Sequence, residues 1–138
     1  MKDIADLLGR IFLGMVFLLE MLDTIFFYQQ TKSTMEDYGI TYMQDTLLTL
    51  VLIALGIGSI LLLIGYFSRF GATLLLIYWL VYTFIVFSFW NDPPDLQRAN
   101  ALHFIRNMAI AGGLFLVLAN GSGKYSVRRL IHVMRLPK

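Results

Sequence analysis

Glu20 and Asp23 near one end of the chain, and His103, Arg106 and Asn107 near the other, are the side chains whose types and spacing suit acid–base chemistry. Carboxylates at i and i+3 share one helix face, and the second set spans roughly a third of a helix circumference. If the two sets meet, two carboxylates and one guanidinium leave one negative charge, and His103 takes up or releases a proton near neutral pH. Such a cluster suits a ligand site or a proton site. Both sets lie in strongly apolar surroundings, where a charge near the bilayer centre costs roughly 2.5–3.5 kcal/mol. Three unpaired charges would cost roughly 8–10 kcal/mol in total, and pairing across helices removes much of that. The same network can do no more than lock helix register.

The elements that would position these residues are apolar helices. The 138 residues are 58% hydrophobic and only 14% charged, above the apolar share of about 45–50% usual in a soluble domain. Mean hydropathy is +0.71. A bilayer core about 30 Å thick needs about 20 apolar residues per helical crossing, and four stretches meet that need, at about 7–28, 46–66, 71–90 and 100–118. The expected fold is all-α: a four-helix transmembrane bundle over 1–123, then a basic amphipathic cytoplasmic tail over 124–138. Asp3 and Asp6 spoil the basic region a signal peptide needs, so the first stretch reads as a retained span.

Residues 29–45 read as a polar connection. Asp45 and Thr46 offer oxygens to cap the second span, and Asp95 offers one to cap the fourth. Gly56 and Gly58 suit close helix contact, as do Ala109 and Gly113. The link 67–70 is short enough to make the second and third spans antiparallel neighbours. Asn91 to Pro94 stop the third span, and Gly121 and Gly123 stop the fourth. Lys2, Arg10, Arg69, Lys124, Arg128, Arg129, Arg135 and Lys138 fall on one side, against Lys32 and Arg98 on the other. Eight against two places both termini in the cytoplasm. Arg10, close to the cytoplasmic end, is expected to snorkel to phosphate. Tyr28, Tyr66 and Trp90 suit the headgroup belts.

In that orientation Glu20 lies eight residues inside Tyr28, about 12 Å deep, and Arg106 lies six inside Asn100, about 9 Å deep from the same side. The levels agree, so pairing is expected if the first and last spans touch. Beyond Gly123, Val127, Leu130, Ile131 and Met134 repeat at helical spacing, with Arg128, Arg129, His132 and Arg135 opposite. That pattern describes a short helix lying on the lipid surface.

Other chemistry is excluded or weak. The chain has no cysteine, which removes disulfides, thiolate metal sites and iron–sulfur clusters. No metal site is expected, and two histidines, one in the tail, give no bis-histidine haem. Gly121 to Lys124 lacks the upstream glycine of a phosphate loop, which would fall at Leu118. The charge of +2 comes from the tail and does not suggest nucleic acid. Tyr78, Trp79, Tyr82 and Trp90 can line a pocket, though such a run more often faces lipid or core.

The order of landmarks resembles the DoxX-like family of small four-helix membrane proteins. Leu8, Gly9 and Arg10 are similar to its opening helix, Gly65 to Arg69 to its G-x-x-x-R turn, and Thr83 to Trp90 to the end of its third helix. Phe104 to Gly113 resembles the F-L-K-N-L-A-L-x-G-G signature, and Gly121, Gly123, Tyr125 and Ser126 resemble its G-x-G-x-Y-S exit. The chain departs from it at Glu20 and Asp23, where a glycine and then a lysine are frequent, and at Phe87, where a histidine is frequent. The resemblance implies the bacterial inner membrane, and in some members a link to redox or quinone complexes. The expected function is an accessory or binding subunit of a membrane complex, with a polar cavity in the periplasmic half and other membrane subunits, or a second copy, as partners. The alternative is a quinone-linked redox module in which Glu20, Asp23 and His103 relay protons. No residue here carries an electron by itself, so that reading needs a quinone or a redox partner, and catalysis by the chain alone is not expected. Transport would need an oligomer, because no inverted repeat or interrupted helix is evident.

Overall fold

The structure, a computed structural model, describes residues 2–123 and 125–134, without the side chains of Lys2, Arg128, Arg129 and Leu130. The elements are α1 (Lys2–Phe26), α2 (Tyr28–Asp37), α3 (Gln44–Ile64), α4 (Ser68–Val86), a 3-10 turn (Phe89–Asn91), α5 (Pro94–Asn120) and α6 (Val127–Met134). Every element among the described residues is helical. By length and hydropathy Gln44–Ile64, Ser68–Asn91 and Pro94–Asn120 can each cross a membrane. The pair α1 and α2 adds a fourth crossing if it is one span bent by 91°.

That bend corrects two expectations. The first apolar stretch, expected to run to Tyr28, is interrupted at Phe27, and Tyr28–Asp37, which takes up much of the expected polar connection 29–45, forms a helix lying across α1. Its sequence is too polar to show an apolar period, and tertiary tethers hold it instead. Tyr28 donates to Asp45 Oδ1 at 2.9 Å, Lys32 donates to the same oxygen at 2.9 Å, and the Tyr38 hydroxyl donates to the Val86 carbonyl at 3.0 Å. Asp45 therefore ties down α2 and does not cap α3, which begins after Met43 without a side-chain cap. Asp95 likewise makes no cap; α5 opens on Pro94, whose missing N–H is an orphan at that position in any helix.

The long helices pack in the order α1, α3, α4, α5, with a slighter contact closing α5 back on α1. Leu48, Leu55 and Leu62 recur every seventh residue of α3 and are buried, while Ile53, Ile57, Ile60 and Ile64 are exposed. Both faces are equally apolar, as expected for a helix between protein and lipid. At the crossing of α3 and α4, a Cβ on Gly58 would stand 2.6 Å from Leu75 Cγ, and one on Gly71 would stand 2.9 Å from the Gly58 carbonyl oxygen. Backbone cannot yield as a side chain can, so Gly71→Ala is expected to cost about 1–3 kcal/mol by overpacking. Thermal unfolding in detergent reads this directly. The exposed Gly112, which has open space beside it, should accept alanine at no such cost.

Phe17, Leu55, Leu62, Leu75, Trp79, Ala111 and Leu114 form the core, which runs from near the end that holds Arg10 to just past the bundle's middle. Toward the other end the helices leave a cavity under α2.

Candidate functional site

Glu20 and Asp23 open onto a cavity of about 820 Å³ walled by α1, α2, α3 and α4. Their i, i+3 spacing on α1 places both carboxylates on one wall, as the sequence implies. Tyr78 and Tyr82 of α4 line it too, their rings stacked 5.9 Å apart at 20°. Leu47, Leu74, Val81 and other aliphatic residues make most of the remaining wall, and Thr31 and Thr34 of α2 close one end. Thr24, buried beside the carboxylates, donates to the Glu20 backbone carbonyl at 2.9 Å.

The expected pairing with α5 is not made. Among the described residues no ion pair or hydrogen bond joins Glu20 or Asp23 to Arg106 or His103, and no α5 residue lines the cavity. The levels do agree. Leu13 packs against Gly113, and seven residues onward along each antiparallel helix, about 10 Å, reach Glu20 on one and Arg106 on the other. What intervenes is Trp79. Its ring meets Phe17 of α1 edge-on at 5.2 Å, and its Nε1 donates to the Asn107 carbonyl of α5 at 3.0 Å, so an indole from α4 stands in the gap. Arg106 is exposed, and His103 is exposed with its ring stacked on Phe87 at 5.2 Å. Asn107 is buried, with its Nδ2 unpartnered among the described residues. The effects of Glu20→Gln and Arg106→Leu on thermal stability should therefore add, within about 0.5 kcal/mol, in a double-mutant cycle. A double variant milder than Arg106→Leu alone would restore the pairing.

Sequence reasoning missed a second cluster at the opposite end. Arg10 does not snorkel: it keeps only 1% of its surface exposed. Its Nε donates to Asp6 Oδ2 at 3.3 Å and its Nη2 to the Tyr125 carbonyl at 2.6 Å. Among the described residues Nη1 has no hydrogen-bond partner, and it packs against Gly65, where a Cβ would collide with it. Gly65 ends α3 with φ +71°, so the guanidinium sits at a helix C-terminus, where positive charge is favoured. A Cβ on Gly123 would strike Asp6 Oδ2, and the Ser68 and Ser122 hydroxyls are 2.9 Å apart. Arg69 reaches the Ala119 carbonyl at 3.5 Å, at the end of α5. The opening, turn and exit landmarks are thus one contact network. The signal for it was present, since Asp6 and Arg10 stand at i and i+4.

Of the tail residues read as lipid-facing, His132 is exposed on α6; Arg135 lies outside the described residues, as do the side chains of Arg128 and Arg129. The amphipathic helix itself runs Val127–Met134.

Long apolar helices with Ile53, Phe70, Ile105, Phe115 and Leu116 turned outward define a helical membrane protein. Residues 5–88 match the family model of DoxX, and the chain belongs to that family. It is 27% identical over 132 residues to inner membrane protein YqjF of Escherichia coli (strain K12), covering 96% of this chain and 95% of YqjF. Inner membrane protein YphA of the same organism is 32% identical over 71 residues, about half of each chain. No solved structure matches the chain.

Proposed function

We propose that this DoxX-family protein is a multi-pass protein of the bacterial inner membrane that acts as an accessory or binding subunit, holding a small amphipathic ligand in the cavity beneath α2. The cavity carries this reading: about 820 Å³ of largely apolar space with two carboxylates on one wall has the size and mixed lining of a small-molecule site. The relatives named as inner membrane proteins support the location. The lysine and arginine count supports both termini in the cytoplasm; on that reading, with α1 and α2 as one bent crossing, the Arg10 cluster lies at the inner face and the cavity in the outer half.

A quinone-linked module is the second reading. Its support is a run of ring contacts leading from Tyr78 on the cavity wall through Tyr82 and Phe87 to His103 on α5. Capture of the full chain from native membranes in mild detergent, with analysis of bound proteins and extracted lipids, separates the two. A stoichiometric partner or a single non-quinone amphiphile supports the binding subunit. Stoichiometric quinone with a matching ultraviolet spectrum overturns it in favour of the redox module.

A further inference from the structure

Resting on that binding reading, we propose that the cavity selects a lipophilic cation: an apolar body carrying a quaternary or delocalised positive charge. Three observations converge on this class. Glu20 and Asp23 line the wall with no cation paired to them among the described residues, while Lys32 is taken up by Asp45 and Arg10 by Asp6. Tyr78 and Tyr82 stand on the same cavity with their rings stacked, and electron-rich ring faces attract cations most when desolvated. Leu74, Ile77, Val81 and Leu50 fill out the lining with hydrocarbon, which a hydrated metal ion or a polyamine would leave unsatisfied. An anion meets two like charges on the same wall. A neutral amphiphile leaves the carboxylates without compensation.

The test uses three probes of similar shape and different charge on the full chain in detergent: tetraphenylphosphonium, tetraphenylborate and neutral triphenylphosphine oxide. Binding is measured by isothermal titration. The expected result is one tetraphenylphosphonium per chain and binding weaker by about a hundredfold for the borate, because two carboxylates change from attraction to repulsion. Glu20→Gln combined with Asp23→Asn should weaken the phosphonium by about tenfold or more. Ala54→Trp, which fills the cavity from α3, should remove binding of every probe. Unfolding temperatures check that the variants fold; if the carboxylate variant does not, the charge comparison on the unaltered chain still decides. Equal affinity for all three probes, abolished by Ala54→Trp, overturns the cation selectivity and leaves the binding reading standing. Binding that survives Ala54→Trp, or no binding of any probe, overturns both.

Discussion

Replacing Arg10 with alanine is expected to destabilise the folded protein by about 3–5 kcal/mol, the usual effect of breaking a buried ion pair from one side. The side chain is 1% exposed and joins three segments that are remote in sequence: its own helix through Asp6, the end of α3 at Gly65 and the exit segment at Tyr125. Its loss strands the Asp6 carboxylate beside Gly123 and frees the Tyr125 carbonyl. Lysine is not an adequate substitute, because a single ammonium lacks the planar fork that reaches Asp6 and Tyr125 together. Asp6→Asn should also be damaging, since arginine cannot shed its charge. Removing both, as Arg10→Leu with Asp6→Leu, should cost clearly less than the sum of the single changes. Gly65→Ala belongs to the same network and should be milder in a chain already lacking Arg10. Chemical unfolding in detergent measures all of these, and an Arg10→Ala variant within about 1 kcal/mol of the parent would refute the buried lock.

Trp79→Ala is expected to cost a further about 3–5 kcal/mol, the range for deleting a large buried aromatic. The indole is 5% exposed and fills the space between α1 and α5, so its removal leaves a void bounded by Phe17, Leu114 and Ala111. Trp79→Phe keeps much of the ring packing and loses one hydrogen bond to the Asn107 carbonyl, which is worth about 1 kcal/mol. The contrast between the two substitutions separates packing from polar bridging. A second consequence is specific to this arrangement. With the indole gone, Glu20 and Arg106 share a level without the group that stands between their helices, so their double-mutant coupling should rise from near zero in the Trp79→Ala background. Coupling that stays at zero there would mean that something other than Trp79 keeps the two apart.

Much of the architecture was legible from residue types. The apolar stretches locate α3, α4 and α5 to within a few residues at the inner edges, because a helix that crosses hydrocarbon must satisfy its own backbone polar groups and be apolar along that length. Gly58 and Gly71 mark the close crossing of α3 with α4, and Gly65 and Gly121 end helices with positive φ, conformations that glycine takes without strain. α2 was not legible, since Tyr28–Asp37 carries no apolar period and depends on Asp45 and Val86 from other segments.

By itself the sequence determined that this chain is a set of membrane helices, that Glu20 and Asp23 share a face, and that Glu20 and Arg106 come to one level. Each of these is a local quantity, set by hydrophobicity, by 3.6 residues per turn and by 1.5 Å of rise. The tertiary structure alone decided which way each helix turns about its axis. Helices apolar on every side carry no polarity signal for rotation, and steric fit at Gly58, Gly71, Gly113 and Trp79 sets it instead. That rotation sent Glu20 toward the α4 tyrosines, left Arg106 exposed and buried Arg10, where charge and depth alone favoured the opposite arrangement.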